Sequence, residues 1–336
     1  MLRFIVRRLL QAVLVMFIVS VLLFAWLRSL PGGPVDSLLG ERATPATRAA
    51  LSKTLGLDQP LPVQYWHFLS NALHGNFGTS TQVQAGTDAM DLFLQRLPAT
   101  VELSIFAIII ALATAIPLGY FAAKRHGGLL DTGSVVLSLV GVAVPVFFLA
   151  FVLKYVFAVE LHWLPVAGRQ SPDLDATRIT NFYVLDGLLT REYDASWDAI
   201  KHLVLPAIAL ASIPFAVVFR ITRASVLEVL NEDYVRTAES KGLSARIIRG
   251  RHVLRNALLP VVTTIGLQVG GLLTGAVLTE TVFAYPGLGD ALAQAFSQRD
   301  YSVLQVLITM AAIGYVLVNL LVDVAYAIID PRIRTR

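Results

Sequence analysis

Cysteine is absent from this 336-residue chain, and charged residues are scarce. The lack of cysteine excludes disulfide frameworks, thiolate metal sites and cysteine nucleophiles, although it leaves the redox compartment open. Ordinary soluble domains carry about 25% charged residues. Here only 15% of the residues are charged and 56% are hydrophobic. This composition indicates a membrane protein.

The motifs of common hydrolases and nucleotide-binding proteins are also missing. The sequence contains no H-E-x-x-H, no G-x-S-x-G and no Walker loop. Its histidines have no second ligand at i+3 or i+4, so each is interpreted as a surface or interface residue rather than a metal ligand. They are His67, His74, His126, His162, His202 and His252. We expect no catalytic residue, no metal site and no cofactor on this chain.

Six apolar runs meet, or nearly meet, the length of about 20 residues that a membrane helix needs. None contains a charge, and the fourth is the weakest because Pro206 and Pro214 interrupt it. The predicted spans are residues 9–27, 103–123, 132–153, 203–219, 256–279 and 302–322. The sequence therefore predicts an all-α membrane protein that forms a single domain over residues 1–336.

The distribution of basic residues predicts the orientation of these spans. If the N-terminus lies inside, 16 of the 27 Lys and Arg face the cytoplasm, against 6 of the 23 Asp and Glu. This bias satisfies the positive-inside rule and places both termini in the cytoplasm. Segments 28–102 and 160–202 would then lie outside, and 28–102 is expected to form short helices on the membrane interface. The first run is too long for a cleaved signal peptide, so we interpret it as an uncleaved anchor.

Acidic residues occur at the edges of three predicted spans, where charge is costly. Glu102 and Glu280 lie at span ends and are expected to reach the membrane interface. Asp323 follows the last apolar run and is expected near the inner surface.

The fifth span is rich in glycine and carries polar residues near its middle. Two small-xxx-small patterns favour close helix packing, and a polar pathway along this helix is an equally good interpretation. The residues concerned are Gly266, Gln268, Gly270, Gly271, Thr274 and Gly275, with Glu280 at the end of the span.

A basic, polar segment, residues 220–255, separates the fourth span from the fifth. Its centre, residues 233–243, predicts a short helix that is closed by Gly242, because glycine readily takes the left-handed conformation that ends helices. The positive-inside rule explains the basic residues, and the aromatic residues of a nucleic-acid surface are missing. A small helix of mixed charge between two spans suits a groove on a soluble partner protein.

The sequence R-T-A-E-S-K-G at residues 236–242, followed by N-A-L-L-P at 256–260, resembles the "EAA" loop of permease subunits of ATP-binding-cassette importers. The commoner pattern is E-A-A-x-x-x-G, a spacer and I-x-L-P. In this chain Arg236 and Thr237 replace the first two residues, while Ala238 and Gly242 match. The spacer is also longer, and both departures are similar to the dipeptide and oligopeptide branch. Further similar stretches are residues 4–9, 31–34, 55–58, 96–103, 280–283, 286–289 and 330–332.

The resemblance implies a type I importer permease fold and a set of partners. A second homologous permease would complete the pathway, two cytoplasmic ATPases would bind ATP and Mg²⁺, and an extracytoplasmic protein would deliver peptides. The central helix would be the coupling helix that contacts one ATPase. The coupling residues implied are Asp233, Tyr234, Arg236, Thr237, Ala238, Glu239, Lys241, Gly242 and Leu243. Ala238 would permit close docking, and Arg236 and Lys241 would either pair with ATPase acids or only mark the inner surface.

Three alternatives stay open from the sequence. Relatives of this branch are expected to carry nickel complexes, glutathione or other cargo. A stand-alone channel or secondary transporter would show a buried charge network or inverted repeats with broken helices, and neither is clear. A membrane anchor for a cytoplasmic complex is only weakly opposed by the polar fifth span.

Overall fold

The computed structural model describes residues 2–29, 44–54, 56–174 and 176–329, with positions 35 and 39. For residues 2–5, 273–275 and 323–329 it describes the backbone alone. The turn predicted at 31–34 and the motif at 330–332 lie outside the described residues, as do Leu55 and the side chains of Thr274 and Asp323.

The described chain is built from α-helices. In chain order they are α1 (Leu2–Ser29), α2 (Pro45–Thr54), α3 (Leu61–Leu73), α4 (Ala89–Lys124), α5 (Leu129–Ala143), α6 (Val146–Leu153), α7 (Tyr183–Leu189), α8 (Tyr193–Leu230), α9 (Asp233–Ser240), α10 (Ala245–Ile247), α11 (Arg255–Phe283), α12 (Leu288–Gln298) and α13 (Tyr301–Ile329). A π-helical segment, Lys154–Glu160, extends α6, and a second one, Ile248–Leu254, joins α10 to α11. The all-α prediction is confirmed for this part of the chain.

Five helical stretches within the described residues are long and apolar enough to cross a membrane: Val6–Ser29, Ala89–Lys124, Tyr193–Leu230, Ala245–Leu272 and Tyr301–Val322. They coincide with five of the six predicted apolar runs. Helices α4 and α8 are longer than the runs that predicted them, with 36 and 38 residues, because each continues into polar sequence at its ends.

The run at 132–153 is not the continuous helix that was predicted. The chain bends by 107° between Leu129–Ala143 and Val146–Glu160. Pro145 lacks a backbone N–H and disfavours helical geometry at the residue before it, and Val144 is extended with φ −81° and ψ 124°. Pro206 and Pro214, by contrast, lie buried within α8, which stays helical. Neighbouring helices tolerate such prolines by packing around them.

The chain divides into two compact units, Met1–Pro98 with Pro286–Arg336, and Ala99–Tyr285. The prediction of a single domain stays a prediction. In the first unit α1 and α12 both pack on α13. Its core gathers Leu23 and Leu27 of α1, Leu92 and Phe93 of α4, and Leu304 of α13.

A buried carboxylate ties a loop to α13 in the first unit. Asp300 is fully buried. Its Oδ2 accepts hydrogen bonds from Ser80 Oγ at 2.7 Å and from the N–H groups of Thr81, Gln82 and Val83 at 2.9–3.2 Å. The backbone N–H groups of the loop therefore surround the Asp300 carboxylate, so that the buried donors and the buried charge are both hydrogen-bonded.

Helix α8 is the centre of the second unit, because α5, α6, α7 and α11 all pack on it. Many of its buried residues are small, among them Ala207, Ala209 and Ala211. Helices α4 and α8 approach closely at Gly119, where an added Cβ would lie only 2.9 Å from Thr222 Cβ. Small residues thus let these helix backbones pack together, as in membrane helix bundles.

Candidate functional site

The central polar segment forms the short helix that the sequence predicts. Helix α9 spans Asp233–Ser240, and Gly242 has a φ of +73°. The N–H of Gly242 donates to Glu239 O at 2.9 Å and that of Leu243 to Ala238 O at 3.3 Å. These two bonds form a Schellman cap, which needs a left-handed residue at the position of Gly242. The predicted closure by glycine is confirmed.

One face of α9 is anchored inside the chain. Val235 is buried in a hydrophobic cluster with Tyr120 of α4, Val226 of α8, Val253 and Ala257. These residues come from three membrane-crossing stretches and the π-helical segment before α11. Helix α9 is therefore packed directly against α4, α8 and α11.

The remaining residues predicted to couple form an exposed surface. They are Asp233, Tyr234, Arg236, Thr237, Glu239, Lys241, Gly242 and Leu243. Ala238 differs, because it is only 4% exposed and its methyl group faces this chain. Close docking of a partner as the reason for Ala238 stays a prediction, and within this chain the residue is buried.

Local contacts hold two of the exposed side chains. Tyr234 Oη accepts a hydrogen bond of 3.0 Å from Asn256 Nδ2. Arg236 lies 3.9 Å from Asp233 on the same helix, and both side chains are largely exposed. An exposed pair of this kind contributes about 0–1 kcal/mol, so both charges stay accessible to a partner.

A second anchor lies at the start of α5. Asp131 is buried, and its carboxylate accepts hydrogen bonds from both Nε and Nη2 of Arg223. The distance from Nη2 to Oδ2 is 2.8 Å. The Gly127 N–H and His126 Nδ1 also contact its Oδ2, at 2.9 and 3.0 Å. Because Arg223 lies on α8, two turns before that helix ends, the ion pair holds the segment that leads into α9.

Glu102 does not reach the membrane interface as predicted. It is 4% exposed, and its Oε2 accepts a hydrogen bond of 2.6 Å from Arg169 Nη2. The N–H of Val184 donates to Oε1 at 2.9 Å. The prediction was wrong because segment 160–202 packs against α4 at Glu102 and supplies a buried cation for the carboxylate.

Arg169 joins four parts of the second unit. Besides Glu102, it donates to Asn181 O at 2.6 Å and to Tyr285 Oη at 3.2 Å. Its guanidinium also lies 3.8 Å from the ring centre of Tyr183, a cation–π contact. This arrangement, the Arg169 cluster, connects α4, segment 160–182, α7 and Tyr285, two residues beyond α11.

Glu280 is likewise buried rather than interfacial. Its exposed fraction is zero, and Thr100 Oγ1 donates to its Oε1 at 2.6 Å. The prediction failed because Thr100 lies 180 residues away in sequence, on α4. Of the other residues named for the fifth span, Gln268 and Gly266 are half-buried, Gly270 is buried and Gly271 is exposed with open space beside it.

The pKa values of Arg169, Tyr285 and Asp186 are shifted by this packing. Burial opposes the charge of Arg169, but the Glu102 carboxylate beside it raises the pKa of Arg169 above its ordinary value. Burial raises the pKa of the Tyr285 hydroxyl, which therefore stays protonated and neutral. Burial also acts against the carboxylate of Asp186, yet hydrogen bonds from Thr180, Ile179 and Asn181 hold its pKa below the ordinary value.

One histidine departs from the expected surface position. His202 is buried, and its Nδ1 lies 2.9 Å from Asp198 O. It is held by its own helix and packs in the second unit. Within the described part of the chain, no group of three histidine or acidic side chains is placed to hold a metal ion.

Sequence reasoning missed Asp131, Arg169 and Asp300. Each is a single charged residue in a loop or at a helix end, without a motif around it. Their partners lie 92, 67 and about 220 residues away, respectively. Periodicity and local motifs carry no signal for such pairs, so only the fold reveals them.

Comparison with known proteins places the chain in a family. Residues 115–335 match the family model described as "Binding-protein-dependent transport system inner membrane component". Residues 1–104 match the one for the N-terminal part of such membrane components.

Named relatives cover the whole chain. The dipeptide transport system permease protein DppB of Alkalihalophilus pseudofirmus is 41% identical over 99% of this chain and 100% of its own length. The di/tripeptide transport system permease protein DppB of Pseudomonas aeruginosa is 45% identical, and the dipeptide transport system permease protein DppB of Escherichia coli strain K12 is 43% identical. Each of these two covers 99% of both chains.

Such proteins are transport components rather than enzymes, which agrees with the five helical stretches that are long and apolar enough to cross a membrane. The chain belongs to the inner-membrane permease components of binding-protein-dependent, ATP-binding-cassette transport systems.

Proposed function

We propose that this chain is a permease subunit of an ATP-driven importer of di- and oligopeptides. The observation that carries the proposal is end-to-end similarity to relatives named as dipeptide and di/tripeptide permeases. Nickel complexes, glutathione and other oligopeptide-like cargo belong to the same importer class. The chain itself forms half of the translocation pathway and couples that pathway to the ATPases, while ATP and Mg²⁺ bind on separate subunits.

The proposed topology is a type I importer fold with six spans and both termini in the cytoplasm. The bent pair Leu129–Ala143 and Val146–Glu160 counts as one broken span beside the five helical stretches. The excess of Lys and Arg at residues 220–255 supports a cytoplasmic position for α9. Segment 160–202, with the Arg169 cluster, then lies on the outer side.

Helix α9 is the proposed contact with a cytoplasmic ATPase. Its exposed face carries both signs of charge together with Tyr234, which is 40% exposed, and Leu243, three residues beyond the helix, is 38% exposed. Its buried face carries Val235, which joins it to three membrane-crossing stretches. A surface that is polar toward a partner and apolar toward its own spans is suited to pass motion between them.

The proposed mechanism follows from this attachment. ATP binding closes two ATPases on each other and draws together the α9 helices of this chain and of a second, homologous permease. Because α9 follows α8 after only two residues and packs against α4 and α11, the spans tilt with it. The pathway opens alternately to the two sides, and the free energy of ATP binding and hydrolysis selects between the two states.

The proposed pathway runs along α11. Gly266, Gln268, Gly270, Gly271, Thr274 and Gly275 lie on this helix, and Glu280 near its end is already bound by Thr100. The open space beside Gly271 leaves room for a second helix or for cargo. An extracytoplasmic binding protein delivers the peptide, so most of the selectivity resides outside this chain.

Purification of the chain from its native membrane tests the proposal most directly. We expect two ATPases, a second permease and a binding protein to co-purify. Mass spectrometry of the ligands that the binding protein retains would then identify peptides. A chain that purifies alone and conducts ions in liposomes would overturn the importer assignment, and a binding protein loaded with metal complexes would overturn the peptide cargo.

A further inference from the structure

Helix α3 is fastened to the side of the first membrane-crossing stretch. The ring centre of Tyr65 lies 5.4 Å from that of Phe24 and 6.4 Å from that of Phe17. Phe68 also packs on Phe24, with ring centres 5.5 Å apart. The hydroxyl groups of Tyr65 and Ser20 are hydrogen-bonded at 2.7 Å. These contacts place one face of α3 on residues 17–24 of α1.

The position of those residues on α1 sets the depth of this contact in the membrane. Residues 9–27 carry no charge, so they define the part of α1 that lies in hydrocarbon. Ser20 is seven residues from Leu27, which is about 10 Å along a helix with a rise of 1.5 Å per residue. The Tyr65 hydroxyl therefore reaches below the hydrocarbon edge, whichever way the chain is oriented. Its bond to Ser20 satisfies a polar group that water cannot reach there.

The outward surface of α3 is divided into an apolar and a polar side. Trp66 is 66% exposed and Leu73 is 76% exposed, and a spacing of seven residues puts them on the same side of the helix. His67 and Asn71, four residues apart, are exposed on the adjacent side. These two polar residues border an open cleft of about 340 Å³ that Arg28 also lines.

We propose that α3 lies lengthwise in the membrane interface as a lipid-binding helix. Trp66 and Leu73 enter the acyl-chain boundary, while His67 and Asn71 face water. A helix with one apolar and one polar side binds in this way, and tryptophan is enriched at the interface. Because α3 packs on residues 17–24, within the uncharged part of α1, lipid is favoured over a protein partner as the occupant of the apolar side. The helix thereby fixes the segment between α1 and α4 to the bilayer surface.

The absence of cysteine from this chain makes a direct test straightforward. Trp66→Cys and His67→Cys, each in the purified transporter complex in lipid nanodiscs, receive a nitroxide spin label. We expect the label at residue 66 to collide several-fold more with dissolved oxygen than with a water-soluble nickel chelate. The label at residue 67, its neighbour in sequence, should show the opposite preference.

Leu73→Cys repeats the measurement with Trp66 in place, so a packing defect from loss of the tryptophan is recognised. Lys53→Cys on α2 serves as the exposed control. The proposal is overturned if labels at 66 and 73 favour the nickel chelate, since α3 would then lie in water. It is equally overturned if neither reagent reaches them, because a protein partner would then cover this side.

Discussion

Helix α9 and the Arg169 cluster are both polar parts of the same compact unit, and they are built in different ways. The cap of α9 is closed by backbone hydrogen bonds between residues no more than five apart. Arg169 instead binds Glu102 and Tyr285, which lie 67 and 116 residues away. Most of the α9 side chains are exposed, whereas Arg169 and both of those partners are buried.

This difference separates contacts that serve a partner from contacts that hold the fold. Charges on α9 have little to bind within the chain, so substitution there should change transport more than stability. Charges in the Arg169 cluster are already neutralised and hydrogen-bonded inside the protein. Substitution there should reduce the amount of folded protein before any effect on coupling is visible.

The largest effect is expected from Arg169→Ala. Removing one partner of a buried pair leaves the other charge uncompensated and costs about 3–5 kcal/mol. Thermal unfolding of the purified complex should show a marked loss of stability. Arg178→Ala is the matched control, because Arg178 also stacks on Tyr183, with its guanidinium 3.5 Å from the ring centre, but does not contact Glu102. Equal losses in both variants would contradict a special role for the pair.

Asp131→Asn should have a smaller effect. It keeps the shape of the side chain but removes the charge that Arg223 binds, and a hydrogen bond to a charged group contributes about 1.5–3 kcal/mol. We expect destabilisation of that size in the same unfolding assay. His126→Ala removes a mostly exposed contact of the same carboxylate and should change stability by about 0.5 kcal/mol or less. If His126→Ala destabilised the protein more than Asp131→Asn does, the ion pair between Asp131 and Arg223 would not be the anchor.

Gly242→Ala tests the other side of the comparison. The added Cβ meets no atom within 4 Å, so the substitution destabilises the protein only through the positive φ. That backbone conformation costs an L-residue about 1–2 kcal/mol. We expect the protein to insert normally while peptide uptake falls several-fold. Gly86→Ala, at a φ of +86° and also in open space, imposes similar strain away from α9 and should leave uptake unchanged.

Normal uptake by Gly242→Ala and by the more disruptive Gly242→Asp would remove α9 from the coupling mechanism. Ala238→Asp is a less clear probe. Because Ala238 is buried, this change would place a charge inside the chain and unpack α9 from its own spans.

The smallest effect concerns pH and Asp186. Its pKa in the folded protein lies below the ordinary value of 3.8, so the ionised form stabilises the fold. That contribution is complete above pH 3.8 and is lost as the pH falls through the lower pKa of the folded state. The advantage of the wild type over Asp186→Asn in thermal unfolding should shrink in this acidic range. A stability difference between the wild type and Asp186→Asn that stays constant with pH would contradict a stabilising role for the ionised Asp186.

Much of the helical organisation could be predicted, because it depends on local sequence. Uncharged runs predicted the positions of five membrane-crossing stretches, and Gly242 predicted the end of α9. The interruption at Pro145 was missed, while two other prolines remained inside α8. Proline removes a hydrogen bond in every case, and whether the helix survives depends on the neighbours that pack around it.

By itself, the sequence determined the apolar helices, the polar helix α9 with its glycine cap, and the family resemblance. These features arise from residues within a few helical turns of one another. Only the tertiary structure decided that Glu102 and Glu280 are buried, that Ala238 faces inward, and that Asp131 and Arg169 hold distant segments together. A buried charge is stable only beside its partner, and here each partner is brought close by folding from a distant part of the chain.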